Sequence, residues 1–284
     1  MKVLAISLLR LGDILMLAPV LKGLKEQNEN VVLHVLINKQ FGFVSSLFPW
    51  VDKFILLDRI ELQKGLGEAH RQIFESMDRL DAIINFLNKE EYTKVVNLTH
   101  TKFSGFLCGM IKAEEKLGMN INENLNVSFG NRWYTYLNEQ VAGGSEMTAH
   151  MIDVHYYGSC LPYRTHHFDF YLDKNGEEES TSLLGEMDNY ICVQPFTSDL
   201  KKDWGFQKIA ETLKFFTFMN PQIKILALAA PNESFRLAEF IDICKNHSVS
   251  VIPAVCSLQG ALGLLTRAKL LLTGDTSIKH LACG

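Results

Sequence analysis

The chain opens MKVLAISLLRLGDILMLAPV over residues 1–20, either a cleaved leader or the first strand and helix of an α/β sheet. A charged start followed by an apolar run has the outline of a secretory leader, but Arg10 and Asp13 interrupt the run and no small-residue cleavage site follows cleanly. The stretch reads instead as a buried strand, Val3 to Ser7, then a polar turn at Leu11-Gly12-Asp13, then a helix. Ile14, Leu17, Ala18, Leu21 and Leu24 fall on one stripe of that helix, and Pro19 is expected to kink it because proline lacks a backbone donor. Strand, polar turn and helix in that order form the repeating unit of a parallel α/β sheet.

The same rhythm runs outward along the chain. In the first half, strands are expected at Val31 to Ile37, Phe54 to Leu57 and Lys94 to Leu98, with another helix across Arg71 to Asn88. It restarts with strands at Tyr190 to Val193, Ile223 to Leu228, Val249 to Ile252 and Leu270 to Thr273, separated by helices at Phe206 to Phe218, Ser234 to Asn246 and Leu258 to Ala268. Two Rossmann-like units in series result, as 284 residues at roughly 150 per domain also suggest. Between them, Asp173 to Met187 contains Asn175-Gly176, three consecutive glutamates and Ser180-Thr181-Ser182, the composition of a linker. This places an N-terminal domain at 1–172, a linker at 173–187 and a C-terminal domain at 188–284. Asp275-Thr276-Ser277 begins a helix and the chain ends at Gly284, so the second domain is expected to lack its usual closing elements.

Composition narrows the function classes. With 47% hydrophobic and 21% charged residues and a mean hydropathy of +0.04, the chain has apolar surface for two cores and is neither disordered nor fibrous. A net charge of -4 and a pI near 6.1 give no global attraction to nucleic acid. No run of about eighteen apolar residues is present, so no transmembrane helix is expected and the protein is placed in the cytoplasm or loosely on a membrane face. The cysteines Cys108, Cys160, Cys192, Cys244, Cys256 and Cys283 form no CxxC pair and read as reduced core thiols. The histidines, including His150, His155, His166 and His167, make no ligand spacing and there is no DxD, so no metal is expected.

Three polar loops at strand-to-helix junctions can carry chemistry. Leu11-Gly12-Asp13 lies at the carboxyl edge of the first sheet, where open α/β folds bind ligands; Asp13 either caps the helix or faces the cleft, and the GxGxxG of a dinucleotide site is absent. Gln194-Pro195-Phe196-Thr197-Ser198-Asp199-Leu200-Lys201-Lys202-Asp203-Trp204 offers hydroxyls at Thr197 and Ser198 and a lysine point charge, which is anion-binding chemistry, or else is a polar turn with Trp204 packed on the next helix. Thr273-Gly274-Asp275-Thr276-Ser277-Ile278-Lys279-His280 opens a helix with small hydroxylated residues, a pyrophosphate cradle; Asp275 caps the helix or bonds a sugar hydroxyl, and His280 lies a turn inside.

Together these loops resemble those of glycosyltransferase family 9, the ADP-heptose:lipopolysaccharide heptosyltransferases. The resemblance rests on Leu11-Gly12-Asp13 before an apolar helix with Pro19, Thr197-Ser198 with Lys202 and Trp204, Ala230-Pro231-Asn232-Glu233, Ser257-Leu258, and Asp275-Thr276-Ser277 with His280-Leu281-Ala282. It departs from the family at Ser277, where glycine is common, and at Gln194 and Phe196, where the family has a histidine or glycine-rich entry. The resemblance implies a GT-B fold, two Rossmann-like domains with parallel sheets facing across a cleft, here with the second domain incomplete. It implies transfer of heptose from ADP-heptose to a lipopolysaccharide inner-core acceptor, inverting and without a metal or other cofactor, at the cytoplasmic face of the inner membrane. In that reading Asp13 is the general base; Thr197, Ser198 and Lys202 hold the phosphates; Glu233 bonds the ribose; Asp275 holds heptose hydroxyls; and Thr276, Ser277 and His280 complete the donor pocket. Arg10, Gly12 and Lys102, the last in Thr99-His100-Thr101-Lys102, would meet the acceptor. Competing readings are a catalytically incompetent nucleotide-binding fragment, a family 9 transferase with a different sugar or a protein acceptor, and, disfavoured by the missing glycine fingerprint, a Rossmann oxidoreductase.

Overall fold

β1 (Lys2–Ser7) is the strand around which the first unit is built. Val3, Leu4, Ala5 and Ile6 have no exposed surface, so the strand is covered on both faces, as central strands of parallel sheets are. Four further strands extend this sheet in the order β3-β2-β1-β4-β5, every neighbouring pair parallel: β2 (Val32–Asn38), β3 (Lys53–Leu57), β4 (Tyr92–Asn97) and β5 (Ala113–Leu117). The computed structural model describes residues 1–63, 72–143, 148–163 and 166–284, and they divide into two units, Met1–Asp169 and Phe170–Gly284. Arg71, where a helix was expected to begin, lies outside the described residues.

Pro19 does interrupt the first helix. α1 (Leu11–Met16) stops at Leu17 and α2 (Ala18–Lys25) begins at once, with the proline in its first turn, where the missing donor costs least. A 3-10 segment (Lys39–Leu47), α3 (Arg59–Gln63) and α4 (Gln72–Asn88) fill the space between β2, β3 and β4. Leu4 and Ile6 of β1 pack with Ile84 and Leu87 of α4 and with Leu107, Cys108 and Ile111 on and just after α5 (Lys102–Met110). Several elements have no counterpart in the sequence pattern: α5, β5, a short hairpin of β6 (Asn120–Ile121) and β7 (Val127–Ser128), α6 (Arg132–Gly143) and α7 (Met151–Gly158). β5 reads AEEKL, an edge strand whose charged residues hide the period-two signal.

In the second unit β8 (Tyr190–Gln194) is buried throughout and the sheet order is β10-β9-β8-β11, again all parallel, with β9 (Lys224–Ala229), β10 (Ile252–Val255) and β11 (Leu271–Thr273). α9 (Phe206–Met219) and α10 (Ser234–Asn246) supply Ile209, Leu213, Leu237 and Phe240 to its core. Across from β8, α11 (Leu258–Arg267) accepts the Tyr190 hydroxyl at the Leu264 carbonyl, 2.6 Å. The chain ends in α12 (Ser277–Leu281). The strand expected at Val249 to Ile252 begins later, because Ser248 takes a positive φ of 61° and the Val249 amide still bonds back to Cys244. Pro253 then sits inside β10, which is tolerated because β10 is an edge strand.

The stretch expected as a linker holds α8 (Lys174–Leu184), and the two units divide earlier, between Asp169 and Phe170. Asp173 caps α8 by accepting from the Gly176 amide at 2.8 Å, and Glu179 accepts both the amide and the hydroxyl of Ser257, the cap of α11. The small residues that looked like linker composition are what let α8 lie close against α11. A Cβ on Gly176 would stand 2.7 Å from Gln259 Cβ, and one on Gly263 would collide with the Ser180 hydroxyl. Leucine at Gly263 must force these helices apart, and overpacking of this kind costs ~1–3 kcal/mol. We therefore expect Gly263→Leu to lower the urea midpoint of the folded chain clearly; an unchanged midpoint would show that α8 is not held where we place it.

Candidate active site

Each sheet has one point where its strand order reverses. In the first, the chain leaves β1 toward β2 and β3 and returns on the other side as β4, so the connections after β1 and β4 run in opposite directions from adjacent carboxyl ends, the place where open α/β sheets receive ligands. The loop leaving β1 is held from both flanks. The Leu8 amide donates to Thr99 Oγ1 at 2.7 Å, and Asn38 Nδ2 donates to the carbonyls of Leu8 and Leu9 at 2.8 and 3.0 Å. α1 starts just beyond, with Arg10 exposed at its cap position and Gly12 second in the helix.

Asp13 is the third residue of α1 and half-buried, so it is not the cap residue itself. Its Oδ2 accepts from the Arg10 amide at 2.9 Å, the returning arm of a capping box. Oδ1 has no protein partner among the described residues, so one oxygen anchors the helix start and the other is uncommitted. Lys102 is exposed at the first position of α5, behind the Thr101 cap. His100, in the same loop but given no role by its sequence, is fixed by Asn138 Oδ1 at 3.1 Å and stacks on Phe129.

The second sheet repeats the topology, with β9 and β11 on opposite sides of β8. The loops after β8, β9 and β11 bring most of the expected donor residues to one sheet edge. Thr197 is buried; its amide donates to Asp203 Oδ1 at 2.6 Å and its hydroxyl to the Asp199 carbonyl at 2.6 Å, so it shapes the loop, whereas Ser198 is exposed. Glu233 Oε2 accepts from the Ala230 amide at 2.9 Å, closing the turn after β9. Thr276 is the cap residue of α12, its hydroxyl 3.0 Å from that of Thr273, and Ser277 and His280 follow inside the helix.

Asp275 does not cap α12. Its carboxylate instead takes hydrogen bonds from the ammonium groups of both Lys202 and Lys279, which hold it far below the usual carboxylate range. Two lysines on one ionised aspartate leave a net positive charge where the loops after β8 and β11 meet. Lys279 was within reach of sequence reasoning, since it stands four residues beyond Asp275 on a helix. Arg236 was not: it comes from α10, yet donates to the Thr197 carbonyl and to Asp203.

Gln194, Pro195, Thr197, Trp204, Leu272 and Gly274 line the narrow crevice at this edge. A cavity of about 450 Å³ bordered by Met1, Gln27, Lys94 and Tyr156 opens instead at the amino ends of β1 and β4. Volume and topology thus disagree, and the convergence of polar loops and charge favours the carboxyl edges. Among the described residues no three His, Cys, Asp or Glu side chains gather, and no helix is long and apolar enough to cross a membrane. Of the cysteines, Cys108, Cys192, Cys244 and Cys256 are buried and burial raises their thiol pKa values, but Cys160 and Cys283 are exposed, against the expectation of core thiols throughout.

Residues 81–284 match the model of glycosyltransferase family 9 (heptosyltransferase), and the chain belongs to that family. No curated protein matches it significantly. Among solved structures it is similar to a family 9 glycosyl transferase from Veillonella parvula, with a TM-score of 0.73 at 17% identity over 99% of this chain and 77% of that one. It is also similar to E. coli heptosyltransferase WaaC with ADP-2-deoxy-2-fluoro heptose, at TM-score 0.69 and 18% identity over 99% and 85% of the two chains. E. coli ADP-heptose lps heptosyltransferase II follows at TM-score 0.68 and 13% identity, over 99% and 81%. The fold is thus that of the GT-B glycosyltransferases, each unit a Rossmann-like parallel sheet.

The scaffold of the first crevice is directly testable. Thr99→Val removes the acceptor for the buried Leu8 amide, and an orphaned buried donor costs ~1–3 kcal/mol. We expect a urea midpoint lowered to match in Thr99→Val and largely restored in Thr99→Ser; an unchanged midpoint in Thr99→Val with a loss in Thr99→Ser would mean that the methyl, not the hydroxyl, holds the loop.

Proposed function

We propose that the protein transfers heptose from ADP-heptose to an inner-core sugar hydroxyl of lipopolysaccharide, with inversion and without a metal. The observation that carries this reading is the pairing of Lys202 and Lys279 with Asp275, where the loops after β8 and β11 meet at the switch point of the second sheet. That edge has the charge and the small polar groups a nucleoside diphosphate requires. Solved structures of similar fold hold ADP and an ADP-heptose analogue, which favours this donor over other nucleotide sugars.

In the proposed reaction, an acceptor hydroxyl attacks the anomeric carbon of heptose while the bond from that carbon to the β-phosphate oxygen breaks. The hydroxyl proton passes to Asp13 and ADP departs with its added charge balanced by Lys202 and Lys279. Ser198 and the α12 start, with Thr276, Ser277 and His280, line the phosphates. Glu233 lies on the ribose and Asp275, held ionised by its lysines, faces sugar hydroxyls. On the first unit, exposed Arg10 and Lys102 flank the crevice that holds Asp13 and suit an acidic acceptor, and Gly12 lets it approach the α1 start. Positioning of donor and acceptor and stabilisation of the leaving ADP carry a large share of the rate. Such a reaction suits an enzyme of the cytoplasm that works peripherally at the inner membrane.

Loss of a general base typically removes ~10²–10⁴-fold of rate. With a lipopolysaccharide inner-core acceptor, we expect Asp13→Ala to lower heptose transfer within that range while ADP affinity stays unchanged. Transfer that survives Asp13→Ala intact would remove Asp13 from the mechanism, and ADP binding with no transfer by the unsubstituted chain would favour a nucleotide-binding fragment.

A further inference from the structure

The β8–α9 loop contributes Ser198 and Lys202 to the donor side, and loops that bind phosphate must hold one shape. Here the shape is closed within the loop itself. The Thr197 amide reaches across to Asp203 Oδ1 at 2.6 Å, the Thr197 hydroxyl donates to the Asp199 carbonyl, and the Lys202 amide donates back to that same carbonyl at 2.8 Å. Residues 197–203 thereby form a ring with Asp203 as its clasp, and Ser198 and Lys202 on it are exposed.

One side chain from outside the loop secures the clasp. Arg236, in the first turn of α10, donates from Nη2 to Asp203 Oδ2 at 2.7 Å and from Nη1 to the Thr197 carbonyl at 3.1 Å, and its guanidinium lies 4.6 Å from the centre of the Phe196 ring. Both ends of the ring and the residue before it are therefore held by one planar cation. The Asp203 side chain is only 14% exposed, so its charge is poorly compensated by water without Arg236. A lysine can supply the charge but not the fork that bonds two acceptors while lying flat on an aromatic ring.

We propose that Arg236 is a positioning residue for the donor diphosphate, acting through Asp203 and the 197–203 ring to fix where Lys202 and Ser198 stand. The assignment rests on the nucleotide-diphosphate reading above but adds to it a residue that need not touch the donor. It makes α10 part of the donor site through its first turn, beside the Glu233 turn already placed there.

The test uses the full chain carrying Trp50→Phe and Trp133→Phe, so that Trp204, next to the ring and partly exposed, is the only indole. Two readouts are taken well below the melting temperature: acrylamide quenching of Trp204, and ADP affinity by calorimetry. In Arg236→Ala we expect faster quenching and at least tenfold weaker ADP binding, with Arg236→Lys recovering part of the affinity. If Arg236→Ala does not fold, Asp203→Asn opens the same clasp with a smaller change and is expected to weaken ADP in the same direction. Unchanged ADP affinity in a folded clasp variant overturns the proposal, as does an affinity loss without any change at Trp204. Failure of the unsubstituted background to bind ADP is a different result: it overturns the diphosphate reading itself, and the positioning role with it.

Discussion

β1 and β8 are each buried on both faces, and this single constraint arranges the rest of the molecule. A strand covered by helices above and below has no place for charged side chains along its length, so polar chemistry is pushed to its ends. Parallel order collects those ends on one edge, and reversal of the strand order beside β1 and beside β8 opens a crevice at each. The loops that follow are stabilised by groups that would be costly to bury alone: the Leu8 amide on Thr99, the Asn38 amide on two carbonyls, the Thr197 amide on Asp203. Each satisfies a backbone group and shapes a loop at once.

Charge at the second crevice follows from the same economy. Lys202 and Lys279 do not stand alone in solvent; they share Asp275, which keeps the carboxylate ionised and leaves one positive charge in excess. Because the aspartate is depressed rather than raised, this pairing is intact through neutral pH and is lost only as strong acid protonates Asp275. The pair is partly exposed, so its value lies in placing charge rather than in stabilising the fold.

Much of this was legible in the residue pattern, and the exceptions have physical causes. The apolar runs of β1, β2, β8 and β9 announced themselves because both faces are buried, and Pro19 marked the α1–α2 break because its missing donor has a fixed consequence. α8 did not, because Gly176 and Ser180, small for close helix contact, look the same in sequence as small residues in a flexible linker. β5 was hidden by its charges. At the site, Asp13, Lys202 and Asp275 lie where strand ends and polar loops coincide, which a sequence displays. What it does not display is pairing at a distance: that Asp275 would take Lys202 rather than cap its helix, or that Arg236 would hold Thr197 and Asp203 from another element, depends on which loops the sheet order brings together.

The donor site we propose is the switch point of the second unit. It is tested most directly by titrating the chain with ADP-heptose and, separately, with a UDP-sugar, comparing the unsubstituted protein with Lys202→Ala by calorimetry. We expect ADP-heptose to bind in preference to the UDP-sugar, weakened about tenfold or more when the charged contact of Lys202 is removed. Equal affinity for both nucleotide sugars, or an ADP-heptose affinity indifferent to Lys202, would contradict it.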